Sequence, residues 1–541
     1  MLLMAGPAFA QAPAVPADAD TAKTKTRQTA PPPLAPRLET TAPATILPEA
    51  LHNLTRRQAP QSIHQRKFGV FNRDGGAPSG FGPVARYGVD RAQENWSYLR
   101  DPTLSDDRLD GLKFIPLNED KSVYLTLSFD QRIKAWYESA PFLGQQKPKH
   151  SARLINRTVG GADLHLGPYF RVYAELLSGQ AGGWNAYGYN QTYRKTVDAQ
   201  QLFAEAEIPL DTAKLGMIVG RQEFFDAPNY VLYVRETPNL PISWNGLRAY
   251  VFWPRLRVDV FDLVQTNTLP TAPFADTENY QARLFGAYTS LALPDFRFLG
   301  APGHVFLDAF YLGYDVAGSG AALATAAGTA NGTTHRDNPG VRLWGKAGPI
   351  EFSLGGLAQT GSFSAARRAA RRRVAAYALD AVLGWRAARL PTNPLLAVQA
   401  DVYSGGTYTR TTGVVGTYLA PFNPQTAYLD TTTYLAPANL VAVAPRLELA
   451  PTHASFLILK LPFYWRQSTS DALYGSGRIY TFRGGYGDAF VGYAPQLSLG
   501  LRLTRHLSWT QDFARFLVSN ALARAGGRNG TYYLSTLDFR F

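Results

Sequence analysis

The first chemistry this sequence offers is charge carried along a strand. From Val123 to Tyr137 the residues alternate. Val123, Leu125, Leu127, Phe129, Ile133 and Ala135 fall on one face, and Thr126, Ser128, Asp130, Arg132 and Lys134 on the other. A guanidinium stays charged at any physiological pH and grips a carboxylate through two parallel hydrogen bonds, so a row of them could hold or pass an acidic solute. The same alternation over Leu164–Leu177 sets Arg171, Tyr173 and Glu175 against Phe170, Val172, Ala174 and Leu176. Further cationic candidates are Arg221, Arg235, Arg342, Arg446 and Arg466. Glu223 and Glu448, like Asp130 and Glu175, lie close to arginines in sequence and could brace them; for each residue the alternative is a structural ion pair. Asp130, Arg132 and Lys134, joined by Arg171 and Arg466 from other strands, are expected to line a constriction.

A face carrying both signs of charge is costly in a dry core, because unpaired ions there are poorly solvated. A water-filled lumen tolerates it. About ten residues of alternation is also what a tilted strand needs to cross a bilayer. The pattern returns at Leu256–Asp262, with Leu256, Val258 and Val260 opposite Arg257 and Asp259. It returns again where Leu497, Leu499, Leu501 and Leu503 oppose Gln496, Ser498 and Arg502. Turn residues at Pro209–Lys214 and Pro391–Pro394 separate such segments, and the Gly/Thr/Ala-rich stretch Val316–Thr334 suits a long external loop. Near the end of the chain Tyr533, Leu537, Phe539 and Phe541 share a face opposite Thr536, Asp538 and Arg540.

Composition agrees with an all-β membrane protein. The 541 residues include no Cys, 13% aromatics, 48 Gly and 37 Pro. There is no apolar run of the ~18 residues that a transmembrane helix needs. The lack of Cys excludes a disulfide framework and a thiolate metal site. A formal net charge of +13 asks for an acidic partner such as nucleic acid, lipid headgroups or a polyanion.

At the N-terminus, residues 1–10 read as a signal peptide, truncated in its basic region, with Ala8-Phe9-Ala10 as the cleavage site. Residues 11–83 are Pro-, Ala-, Thr- and Arg-rich with little apolar periodicity, and are expected to form a disordered periplasmic extension. The remainder, 84–541, is one barrel. Ala365–Trp385 carries arginines among alanines and has helical propensity. Its flanks Glu351–Phe363 and Val374–Trp385 read as strands, which makes the arginines a loop or rim. No aromatic interleaving accompanies them, so no nucleic-acid partner is expected. His165, His304, His335, His453 and His506 are scattered and sit in no nucleophile or metal motif. No enzyme activity, cofactor or metal is expected.

Several strings taken together resemble the alginate-export family of outer-membrane β-barrel porins. They begin with Glu94-Asn95-Trp96-Ser97-Tyr98-Leu99-Arg100 and Phe114-Ile115-Pro116-Leu117-Asn118. They continue through Leu164–Val172, Gly220-Arg221-Gln222-Glu223, Arg235-Glu236 with Asn239, Asp308–Gly313 and Pro421–Pro424, to Trp465-Arg466-Gln467-Ser468-Thr469-Ser470-Asp471-Ala472-Leu473-Tyr474-Gly475. The resemblance implies a single monomeric antiparallel barrel of about eighteen strands in the outer membrane of a Gram-negative bacterium. It implies a basic lumen passing an anionic uronate polysaccharide or, alternatively, small anionic solutes such as acidic sugars. It also implies contact with outer-membrane lipids and periplasmic export-complex proteins. Tyr533, Leu537, Phe539 and Phe541 would serve as the signal read by the barrel-assembly machinery. The sequence departs from the family at Trp244-Asn245-Gly246, where an acidic residue commonly precedes the glycine.

Overall fold

A computed structural model describes Tyr87 and residues 90–541, apart from 147–148, 185–188, 190–191, 225–226, 229, 233–234, 236, 254, 319–331, 367, 408–411, 421, 423–428, 430, 453 and 476–477. The signal and extension expected over 1–83 lie outside the described residues.

Eighteen strands wind into one closed antiparallel barrel. They are β1 (Val123–Ser139), β2 (His150–Leu166), β3 (Phe170–Trp184), β4 (Lys195–Pro209), β5 (Lys214–Gln222) and β6 (Trp244–Phe252). Next come β7 (Leu256–Asn267), β8 (Thr277–Ala292), β9 (Ala301–Ala317), β10 (Thr333–Ala347), β11 (Ile350–Ser364) and β12 (Arg372–Arg386). The last six are β13 (Leu395–Tyr403), β14 (Leu440–Thr452), β15 (Ser455–Lys460, resuming at Phe463–Trp465), β16 (Phe490–Tyr493, resuming at Gln496–Arg502), β17 (Leu507–Val518) and β18 (Gly530–Arg540). The breaks in β15 and β16 fall at Pro462 and Pro495, which have no N–H to give to a ladder.

The seam joins β1 to β18, with register running from Asp130↔Arg540 to Ser139↔Thr531. Phe129 and Phe541 extend it, exchanging backbone bonds of 2.9 and 3.0 Å. With β18 closing on β1 no long edge remains, which is how a sheet satisfies its backbone in lipid. Below Phe129 the free edge of β1 is covered by Ile115 and Pro116, which pair with Leu125 and Tyr124.

Alternation sets the two surfaces. On β1, Ile133 and Tyr137 are about 40% exposed outward, while Asp130, Arg132 and Lys134 are buried inward. Outward-facing Leu and Val form an apolar band, as on Leu176, Leu202, Val219, Val260, Leu379 and Leu383. Aromatics gather at its margins: Phe170, Trp253, Phe296 and Trp385 near the short turns, Tyr137, Trp184, Phe274 and Tyr377 near the long loops. That is the outer surface of a barrel in a bilayer, with short turns at the periplasmic side and long loops outside.

The sequence reading of Leu164–Leu177 as one strand is corrected here. A turn at Gly167, φ +66°, splits it between β2 and β3. Leu166 pairs with Phe170 across that turn and both face outward, so the period of two runs unbroken through the hairpin and conceals it. Of the arginines after Ser364, Arg368 and Arg371 lie between β11 and β12 as expected, whereas Arg372 and Arg373 open β12 itself, pairing with Phe363 and Ser362.

Two insertions occupy the interior. From the external side, the described residues of 223–243 and 404–439 turn inward. Phe224, Tyr230, Val231, Leu232, Tyr418 and Tyr434 join one apolar core with lumen-facing Tyr288, Phe310, Leu357, Tyr403 and Phe516. From the periplasmic side, residues 90–114 enter the barrel. Ala92 packs among Tyr173, Phe203, Tyr250, Phe306 and Trp344, while Trp96, Leu99 and Phe114 pack on Tyr124.

Candidate functional site

The interior wall is a set of ion pairs placed by strand register. At the seam, Asp130 is fully buried and lies 2.7 Å from Arg540, 3.6 Å from Arg91 and 3.9 Å from Arg157. Arg132 donates to Asp538 at 2.7 Å. Glu175 accepts from Arg91 at 2.7 Å and from the Tyr173 hydroxyl at 2.8 Å. One strand level lower, Arg171 is held by Glu205 and by Asp163 at 2.8 Å, and donates to the Ala92 carbonyl at 2.9 Å. Arg248 and Arg257 share Asp259. Arg342 donates to Asp308 at 2.9 Å, and Asp308 also accepts from Tyr288 at 2.7 Å. Arg446 pairs with Glu448, which lies 3.8 Å from Arg386.

Among the described residues, buried carboxylates slightly outnumber buried lysines and arginines. The pairing follows from desolvation, since a buried arginine without a compensating partner is costly and an adjacent acid is the strongest compensation.

Higher up, wall cations hold the inward loop. Lys134 donates to the Pro238 carbonyl at 3.0 Å and Arg157 to the Asn239 carbonyl at 3.2 Å. The loop can sit this close because Gly179 underlies it; a Cβ there would lie 2.4 Å from Leu240 Cδ2. Glu223 opens the loop and accepts from Gln200 at 2.9 Å.

Three of the candidate residues are placed elsewhere than the sequence suggests. Arg221 has the parity of outward-facing Met217 and Val219, and its guanidinium ends in an external rim cluster with Asp198 (3.4 Å) and Asn245 (3.0 Å). Arg466 follows β15 in an external loop. It donates to the carbonyls of Thr469, Asp471, Tyr486 and Asp488 at 2.6–3.1 Å and stacks on Tyr486. It is a staple for its own loop. Arg235 is on the inward loop rather than a strand. Arg132, Arg171 and Arg466 therefore lie at middle, periplasmic and external levels and form no single constriction.

Arg235 stands apart. It has φ +65°, and its Nε donates to the Leu240 carbonyl at 2.8 Å. Among the described residues no carboxylate neutralises it, and burial pushes its pKa down to about 10, which leaves it charged at neutral pH. Arg336, buried on β10, likewise has amide, hydroxyl and carbonyl partners, from Gln359, Thr334 and Thr417.

The residues at the chain's end sit at the seam. Tyr533 and Leu537 face outward; Phe541 stacks on Phe129 at 5.8 Å, and Phe539 meets Phe129 edge-on at 6.3 Å. Arg91, Arg157, Asp163 and Glu205 were not singled out from sequence, and Asp538 and Arg540 were placed on the polar face of the last strand without a role. The inward parity of their strands marks all but Arg91, whose position depends on a long-range insertion.

A closed barrel with an apolar outer band, aromatic margins and a polar interior defines a membrane-spanning protein of the outer-membrane channel class. The sequence over residues 123–535 matches the model of the Alginate export family, and the chain belongs to that family. Structural likeness extends to a BenF-like porin from Pseudomonas fluorescens Pf-5, at TM-score 0.48 and 8% identity over 77% of this chain and 99% of that one. OccK2 (OpdF) of Pseudomonas aeruginosa, solved in complex with glucuronate, gives TM-score 0.46 and 10% identity, covering 79% of this chain and 98% of that one. OpdK of Pseudomonas aeruginosa with vanillate gives 0.48 and 9%, over 77% and 98%. No curated protein matches the sequence.

Proposed function

We propose that this protein is a non-enzymatic channel of a Gram-negative outer membrane that passes an anionic polysaccharide of the uronate type. The observation that carries the reading is Arg235. Where most wall arginines are met by acids, this guanidinium projects from a loop inside the barrel with a backbone carbonyl as its described hydrogen-bond partner. A carboxylate passing the loop could take the remaining donors and then leave, since a permeation site has to bind weakly enough to release. Family membership supports the choice of an acidic polymer. A smaller acidic sugar is the second reading, favoured by how much of the interior the loops occupy. In this account the barrel-assembly machinery inserts the chain, periplasmic export proteins deliver substrate, and the barrel works as a monomer in contact with outer-membrane lipid.

Planar-bilayer conductance with added oligouronates tests this. The wild-type pore should favour anions and be blocked by oligouronates, less so as salt rises and screens the charge. Arg235→Ala should leave the folded barrel intact and weaken block about tenfold, the worth of one hydrogen bond to a charged group. Undiminished block in that variant would remove Arg235 from the path. Block by monomeric uronates as strong as by oligomers would select the small-solute reading.

A further inference from the structure

On the outer wall, strand register sets outward side chains in rows. Trp385, Leu396, Leu447 and Leu459 stand side by side on β12 to β15, just above the short turns. In the next row toward the external side, Leu383 and Val398 are followed on β14 by Pro445. Pro495 takes that level on β16, at the break in the strand. The sheet continues beneath, with Leu461 N–H donating to the Pro445 carbonyl at 3.0 Å. A proline ring stands lower than a leucine, and the two rows enclose a depression of about 760 Å³ in the apolar band. Arg446 and Lys460 border it but turn their charges to the lumen, onto Glu448 and Gln399. Below the depression, the turn between β12 and β13 carries Arg389 and Leu390, both exposed. Arg386 at the start of that turn is held by Glu351, whereas Arg389 has no ion-pair partner among the described residues.

We infer that this depression seats one phospholipid of the periplasmic leaflet, with an acyl chain laid against Pro445 between the two rows and an acidic headgroup on Arg389. The inference rests on the barrel's place in the bilayer and not on what its lumen passes. Hydrocarbon is what meets the apolar band at this depth, and a hollow left empty there would cost its lining the dispersion contacts that a chain supplies. The gain is packing, because lipid tails are as apolar as leucine. The leaflet follows from the side: the lower row adjoins the short turns, so the headgroup of a lipid lying here falls at the periplasmic margin. There a free guanidinium meets a phosphate through paired hydrogen bonds. A second copy of the chain fits less well, since a two-fold contact sets the same patch against itself and a hollow needs a protruding complement.

Trp385 stands in the lower row and reports on the seat. The purified barrel in a nonionic detergent is titrated with phosphatidylglycerol brominated in its acyl chains, and the loss of tryptophan fluorescence is read with and without Trp385→Phe. The Trp385 signal should fall along a saturating curve. Brominated phosphatidylcholine, whose headgroup has no net charge, should need about fivefold more lipid. Arg389→Gln should weaken the phosphatidylglycerol effect by about the same factor. Pro445→Leu raises a side chain as tall as its neighbours and should abolish saturable quenching. Val398→Phe narrows the same space without altering a proline and should do likewise. Single-channel conductance should stay at its wild-type value in these variants, which shows folded barrels and separates failure of the seat from failure of the channel reading. Quenching that never saturates, that survives both filling variants, or that ignores headgroup and Arg389 would overturn the seat. Dimers in native mass measurements that vanish in Pro445→Leu would overturn it in favour of a second copy of the chain.

Discussion

Replacing Asp130 with Ala should cost far more than removing a wet lumen charge. Asp130 has no exposed surface and is the shared anion of Arg540 at 2.7 Å, Arg91 at 3.6 Å and Arg157 at 3.9 Å. Its removal leaves three buried guanidiniums converging on a void at the seam between β1 and β18. Breaking a buried pair by deleting one partner costs roughly 3–5 kcal/mol, whereas an exposed pair is worth about 0–1 kcal/mol. Asp538 and Glu175 retain part of the field, which puts the expected loss near the lower end, about 3 kcal/mol. Equilibrium urea unfolding in detergent micelles, followed by tryptophan fluorescence and by the heat-modifiable band on gels, measures it. Adding Arg540→Met removes one of the stranded cations, so the double variant should recover about 1–3 kcal/mol relative to additivity. A loss under about 1 kcal/mol in Asp130→Ala, with additive behaviour in the double variant, would show that water reaches this level of the wall. It would refute the packed ion-pair interior.

Deleting Phe541 removes two seam backbone bonds and the stack on Phe129, and should lower the yield of folded barrel in the membrane fraction severalfold; normal yield would deny the seam its role in assembly. Arg466→Ala frees four loop carbonyls. Hydrogen bonds to a charged group are worth about 1.5–3 kcal/mol each, so residues 466–489 should become sensitive to external protease while ion selectivity stays at its wild-type value. Selectivity that moved with Arg466 would return it to the permeation path. The effect of Arg235→Ala on block completes the set.

The barrel was legible because its signal is local. Asp130, Arg132 and Lys134 oppose Phe129 and Ile133 within a few residues, and lipid outside with charge inside needs only the period of two. Turns were less legible where a three-residue hairpin preserved that period, as between Leu166 and Phe170. The interior was hardest. The partner of Arg132 is Asp538 and the partner of Asp130 is Arg540, each some four hundred residues away, and only closure of the seam brings them together. A sequence gives the number of cations but not their register against anions, so the pairing along the wall could not be read from a net charge of +13.

The same limit explains why the segment before β1 was read only as the start of the barrel. Arg91 has no strand periodicity around it, and nothing local to it announces Glu175 or Asp130. Its burial implies that residues 90–114 are held by charge as well as by Trp96, Leu99 and Phe114. A segment held by charge can be released by removing charge without unfolding the strands beneath it, because strand pairing is backbone and the contacts are side chain. That separation makes the inserted segment, and not the strands around it, the part of the periplasmic mouth that a loss of side-chain charge would loosen.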